Sequence, residues 1–190
     1  MMSRVRTKGI IFFYLVTLAF FSFVTVPKIR TIFLFLGLSI VIVACLNDRN
    51  NSMIILRETR HERRIKSILA CASLSLYSAL ILGVCDVIRT WNAIGIFVFR
   101  IEYLAIVFFY CLTFSLAVIM YNMNYMKSVF LALLLGFFAI SVFAPGQLGI
   151  IWNDSSWGIH YIMVNCMIYW IIVSIIALIL YYLCPEKESV

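Results

Sequence analysis

An all-α, polytopic membrane bundle of six helices with both termini in the cytoplasm is the architecture this sequence predicts, on three grounds. Of its 190 residues 65% are hydrophobic and 12% charged, and a mean hydropathy of +1.08 lies well above the range of water-soluble domains. Apolar residues fall in continuous runs, not in alternating ten-residue strands, which favours a helical bundle over a β-barrel. Lysine and arginine, finally, are distributed unevenly around those runs. With 8 glycines and 3 prolines little chain is left for loops, and 1–190 reads as one integral membrane domain.

The runs span about 9–26, 31–46, 67–88, 101–121, 127–144 and 160–183, each close to the ~20 residues that cross hydrocarbon. The first, "MMSRVRTKGIIFFYLVTLAFFSF", has the basic start and apolar middle of a signal peptide but no small-residue cleavage site, so it reads as a retained helix. The second is the shortest and fits a span with little tilt or locally thinned bilayer. Cytoplasmic loops carry the excess of basic residues. An inside amino terminus puts Arg4, Arg6, Lys8, Arg49, Arg57, Arg60, Arg63, Arg64, Lys66, Lys127 and Lys187 in the cytoplasm, against Lys28, Arg30, Arg89 and Arg100 outside. An even number of crossings follows, and six satisfies it.

Between the second and third spans lies "NDRNNSMIILRETRHERRIK", Asn47 to Lys66, whose second half reads as a basic helix leading into the membrane. Glu62 and Lys66 stand at the favourable i, i+4 spacing. Arg57, Arg60, Arg63, Arg64 and Lys66 form either a solvated positive-inside connector or a docking surface for anionic lipid or an acidic partner. So short a segment against the membrane does not suit nucleic acid. The outer connections, 89–100 and 145–160, carry Trp91, Trp152 and Trp157, residues that favour the headgroup boundary.

Counting about 20 residues from each cytoplasmic end brings Asp86, Arg100, Glu102 and His160 to one depth at the outer boundary, with Arg89 and Asp154 just above. Arg100 and Glu102, two apart on a helix, point in different directions; Asp86 is a complement for Arg100, and Arg89 or His160 for Glu102. Asn165 is the one amide inside a span, placed to hydrogen-bond between helices. Charges also collect at helix ends with no site behind them, so the cluster has both readings.

Catalytic chemistry finds little to stand on. His61 and His160 fall on opposite sides, which leaves no haem or histidine metal pair, and no phosphate-binding loop, nucleophile elbow or zinc-protease motif occurs. Six scattered cysteines lack metal spacing and read as small packing residues. No cofactor is expected.

"LYSALILGVCDVIRTWNAIGIFVFRIEYLAIVFFYCLTFSLAVIMYNMN", with its "RIEYL" entry to a helix, and "WGIHYIMVNCMIYWIIVSIIALIL" together resemble the amino-terminal seven-helix membrane sensor region of bacterial histidine kinases. The resemblance covers about 36–183, the second to sixth spans taking the places of the family's first to fifth. It implies an outward-facing receptor-like bundle with Glu102, Trp157 and His160 at matching motif positions. An extra helix precedes the matching part, the family's last two helices are missing, and no kinase follows, so an output would pass through a partner. The expected function is thus a non-enzymatic sensor, regulatory or accessory subunit of a bacterial cytoplasmic membrane, acting through another membrane protein; the alternative is a small transporter or substrate-capturing component.

The topology is tested by thiol labelling in a background without native cysteines. Cysteines placed at Ser3 and Ser189 will be protected from an impermeant reagent applied outside and one at Ser155 will react; labelling of both terminal sites overturns it.

Overall fold

The computed structural model describes residues 2–22, 36–45, 59–123 and 160–183. Regular structure among them is entirely helical: α1 (Met2–Ser22), α2 (Leu36–Cys45), α3 (Arg60–Ile94), α4 (Ile101–Met123) and α5 (His160–Leu183). Helices α3, α4 and α5 are each long and apolar enough to cross a membrane, whereas α1 and α2 carry the shorter apolar stretches Lys8–Phe20 and Leu36–Cys45. The predicted span 127–144 lies outside the described residues, as do 23–26 and 31–35 of the first two.

Helix α3 has defined ends. At its start Glu62 N–H donates to Thr59 Oγ1 (3.3 Å) while Thr59 N–H donates to Glu62 Oε2 (3.0 Å), a reciprocal capping box that satisfies two otherwise orphaned donors. This confirms a basic helical lead-in to the span, and it commits the Glu62 carboxylate to the cap. The helix stops at Gly95, whose φ of 70° costs nothing only without a Cβ, and whose N–H bonds the Trp91 carbonyl at 2.7 Å. It therefore runs eight residues past Asp86, through the first half of the segment read from sequence as an outer loop. Hydropathy reports the thickness of the membrane; the i to i+4 hydrogen bonds continue beyond it until glycine ends them.

The bundle is assembled around α4, most of whose residues are buried, including Ile106, Val107, Tyr110, Cys111 and Leu116. Helix α3 buries one face, Ser67, Cys71, Leu74, Ser75, Ser78, Leu82 and Cys85, recurring at the helical period, and packs against both α4 and α1. Leu69, Leu76, Leu80, Val84 and Ile88 on the other face are exposed, as suits contact with lipid. Close approach is enabled by glycine: a Cβ on Gly83 would lie 3.1 Å from Leu104 Cδ2, and one on Gly37 only 2.5 Å from Tyr14 Cδ2. Tyr14 in turn is held by its hydroxyl, which donates to Ser78 Oγ (3.0 Å) while Ser78 donates to the Leu74 carbonyl (2.9 Å).

Gly37→Ala is accordingly expected to destabilise the protein by about 1–3 kcal/mol through overpacking against the tethered Tyr14 ring. Gly9→Ala, with nothing within 4 Å of the added methyl, is expected to stabilise α1 by up to about 1 kcal/mol. Thermal unfolding of the two variants in detergent will separate them in opposite directions.

Candidate functional site

The outer end of the α3/α4 pair brings opposite charges together. Arg100 Nη2 donates to both oxygens of Asp86, at 3.0 Å to Oδ1 and 2.8 Å to Oδ2, with the two side chains 17% and 13% exposed. The guanidinium also lies over the Tyr103 ring, 5.9 Å from its centroid, a cation–π distance. Arg100 immediately precedes α4 and its carbonyl accepts the Leu104 N–H at 3.3 Å. A cation at this position opposes the positive end of the helix macrodipole, and the Asp86 carboxylate drawn to the same end offsets it. Glu102, half-buried in the first turn of α4, has the favourable sign for that position. Arg89, also half-buried, stands about one turn above Asp86 on the same side of α3.

The structure thus unites Asp86 and Arg100 and puts Arg89 and Glu102 beside them in sequence and depth. Asp154 and Trp157 lie outside the described residues. His160 and Asn165 are placed as backbone only, in the first two turns of α5. Among the described residues no group of three His, Cys, Asp or Glu side chains is arranged to hold a metal ion.

At the opposite end, the first turns of α3 meet the last turn of α5. Arg64 Nη1 donates to the Tyr182 carbonyl, and the Tyr182 hydroxyl lies 3.3 Å from His61 Nδ1, with the two rings edge to face at 6.2 Å. Tyr182 is among the last four residues of α5, whose carbonyls have no partner within the helix, so a cation from α3 caps the negative end of its dipole. Of the basic residues proposed for docking, Arg64 is therefore engaged inside the protein. Arg63 is half-buried and Lys66 exposed; of Arg60 only the backbone is described, and Arg57 lies outside the described residues.

A third polar set was missed by sequence reasoning, which singled out Asn165 within the spans. Thr113 and Ser174 hydroxyls are 2.8 Å apart, and both lie within hydrogen-bond distance of the Phe109 carbonyl, at 2.8 and 3.0 Å. Two protons serve three oxygens here, one hydroxyl donating to the carbonyl and the other to its neighbour, which joins α4 to α5. Tyr110 and Trp170 pack edge to face one turn away, at 4.8 Å. Buried Ser75 and Ser115 add hydroxyls with no hydrogen-bond partner among the described residues. For the hydroxyls of α3 alone there was a signal, the recurrence of small residues on one face: Ser67, Cys71, Ser75, Ser78.

Two recesses adjoin α1 and α2. One, of about 560 Å³, is lined by residues including Gly9, Phe13, Tyr14, Leu36, Gly37 and Ile40; the other, of about 110 Å³, reaches Cys45, Ser67, Cys71 and Tyr77. Among the described residues no charged side chain lines either, so their chemistry suits apolar groups. No family model, curated protein or solved structure matches the chain.

Breaking the Asp86–Arg100 pair from one side leaves a charge in a largely water-excluded place, at a cost of about 3–5 kcal/mol, against at most about 1 kcal/mol for an exposed pair. Arg100→Glu is expected to lower the melting temperature of the solubilised protein sharply, and adding Asp86→Arg to restore part of it. Equal melting of parent, single and double variants would place both residues in solvent.

Proposed function

We propose that the protein is a six-helix membrane component, both termini cytoplasmic, of a bacterial cytoplasmic membrane, acting without catalysis as a sensor, regulatory or accessory subunit through a second membrane protein. The observation that carries this reading is how the polar groups are used. Tyr14 with Ser78, Thr113 with Ser174, Asp86 with Arg100 and Arg64 with the end of α5 each tie one helix to another. Meanwhile α5 leaves Ile168, Ile172, Ile175, Ile176, Ile179 and Leu180 about half exposed, a broad apolar face on a peripheral helix. Helices in lipid associate by close packing and interhelical hydrogen bonds, and such a face suits a partner helix.

The likeness to kinase sensor regions belongs to the same proposal: Glu102, Trp157 and His160 would mark an outward ligand site, with Asp154, Arg89 and Asn165 contributing polar contacts. On the basic side Arg57, Arg60, Arg63 and Lys66 would meet anionic lipid or an acidic partner segment. The transporter reading draws support from the 560 Å³ recess beside α1 and α2, which has room for a small apolar solute.

The test is photo-crosslinking in the native membrane from residues introduced at Ile172 and Ile176. The expected outcome is a discrete adduct with one membrane protein, absent when the crosslinker is placed at buried Ala177. Adducts with lipid alone, together with uptake of an apolar solute by proteoliposomes of the purified protein, would replace the subunit reading with the transporter.

A further inference from the structure

The turn that joins α3 to α4 is far more apolar than a water-exposed loop. Helix α3 has 35 residues, about 52 Å at 1.5 Å per residue, against about 30 Å of hydrocarbon. With Ser67, which follows the basic start of the helix, at the inner edge of the hydrocarbon, Asp86 lies about 28 Å higher, at its outer edge. Beyond Asp86 the helix climbs two further turns, reverses at Gly95 and returns through Ile96–Phe99 to Arg100. Between the paired charges, Arg89 is the one ionised residue.

The two arms of this hairpin are joined by their side chains. Trp91 and Phe97 stack with centroids 5.2 Å apart and planes 14° apart. Even so they stay uncovered: Trp91 is 48% exposed, Ile96 60%, Phe97 70% and Phe99 64%. In water this would be an apolar patch without a cover. The patch is continuous with the exposed face of α3, since Leu69, Leu76, Leu80, Val84, Ile88 and Trp91 follow one another on a single helical stripe. Whatever covers Leu76 and Val84 in the middle of the membrane meets no polar break before Phe97.

We infer that the 87–99 hairpin is an interfacial anchor, inserting Trp91, Phe97 and Phe99 into the headgroup and upper acyl region of the outer leaflet lipid, with the Asp86–Arg100 pair seated beneath the headgroups. Headgroup regions add roughly 5–8 Å on each side of the hydrocarbon; the backbone of Trp91, five residues above Asp86, stands about 8 Å higher, at their outer limit, and its side chain leans back toward the start of the helix, which carries the ring down toward the boundary tryptophan prefers. Phe97, stacked on it, shares that level, and Phe99 lies between Phe97 and the ion pair. Arg89 falls at the depth of the lipid phosphates, where its guanidinium finds opposite charge. Water is displaced from above the ion pair by this apolar cover, so the anchor and the strength of the pair are linked. The inference rests on the membrane character of α3 and, for the leaflet, on the proposed orientation; it is independent of any partner at α5.

Spin labels on cysteines introduced at Phe97, Phe99, Leu80 and Glu62, in a cysteine-free background reconstituted in phosphatidylcholine–phosphatidylglycerol vesicles, provide the test. Collision with oxygen is expected to exceed collision with a water-soluble nickel chelate at Phe97 and Phe99, as at lipid-facing Leu80, with the reverse at Glu62. Nickel collisions dominating at Phe97 and Phe99 while Leu80 stays lipid-like would put the hairpin in water and overturn the proposal. Low collision with both reagents would show a protein cover and overturn it as well. A second measurement leaves the native cysteines in place: in a variant with Trp152, Trp157 and Trp170 replaced by phenylalanine, the fluorescence of Trp91 is expected to be quenched by lipids brominated near the carbonyl end of their chains. Absence of that quenching would refute the anchor.

Discussion

The seating of α3 on α4, fixed at one end by the Asp86–Arg100 pair and one helical turn lower by the approach of Gly83 to Leu104, sets where the attachments of α3 to α1 and to the end of α5 fall. Helix α1 is tied to α3 through Tyr14 and Ser78, and α5 to α4 through Thr113 and Ser174. A slip of α3 along α4 by a single turn would carry α1 with it and draw Arg64 away from the end of α5. Lipid chains are as apolar as leucine, so burying side chains between helices gains little over leaving them in the bilayer. Register inside a membrane therefore depends on groups that have one best partner, and an ion pair at a helix end is the most position-sensitive of these.

That constraint explains why the polar inventory of the spans is small and hydroxyl-rich. A serine or threonine satisfies itself by donating to a carbonyl of its own helix and still accepts one bond from a neighbour, as Ser78 does between Leu74 and Tyr14. Such joints tie helices together while satisfying each hydroxyl within the bundle.

The sequence and the structure agree most closely where the physics is one-dimensional. Unbroken apolar runs identify α3, α4 and α5, and the basic helical lead-in to α3 is legible ahead of the span. The complement of Asp86 and Arg100 is legible because both residues fall at the same end of adjacent antiparallel spans. The upper end of α3 was not: Arg89 and Asn92 have the polarity of a loop, yet Gly95, three residues beyond Asn92, is the first residue that breaks the backbone pattern. Interhelical hydroxyl bonds were hidden for another reason. Thr113 and Ser174 are 61 residues apart, and no local pattern announces which serine of one helix will meet which threonine of another. The engagement of Arg64 is hidden likewise, since positive-inside charge explains its presence without naming Tyr182.

The bond from Arg64 to the Tyr182 carbonyl spans 118 residues and has a bearing on the order in which the protein is made. Helix α3 emerges from the ribosome long before α5, and through the synthesis of all that lies between them its first turn carries an arginine whose final partner does not yet exist. In the proposed orientation the guanidinium would meanwhile face the cytoplasmic headgroups, and arrival of the end of α5 would exchange that contact for a backbone carbonyl, turning an orientation determinant of the young chain into a clasp of the finished one. A chain stalled before Tyr182 would be inserted but not closed.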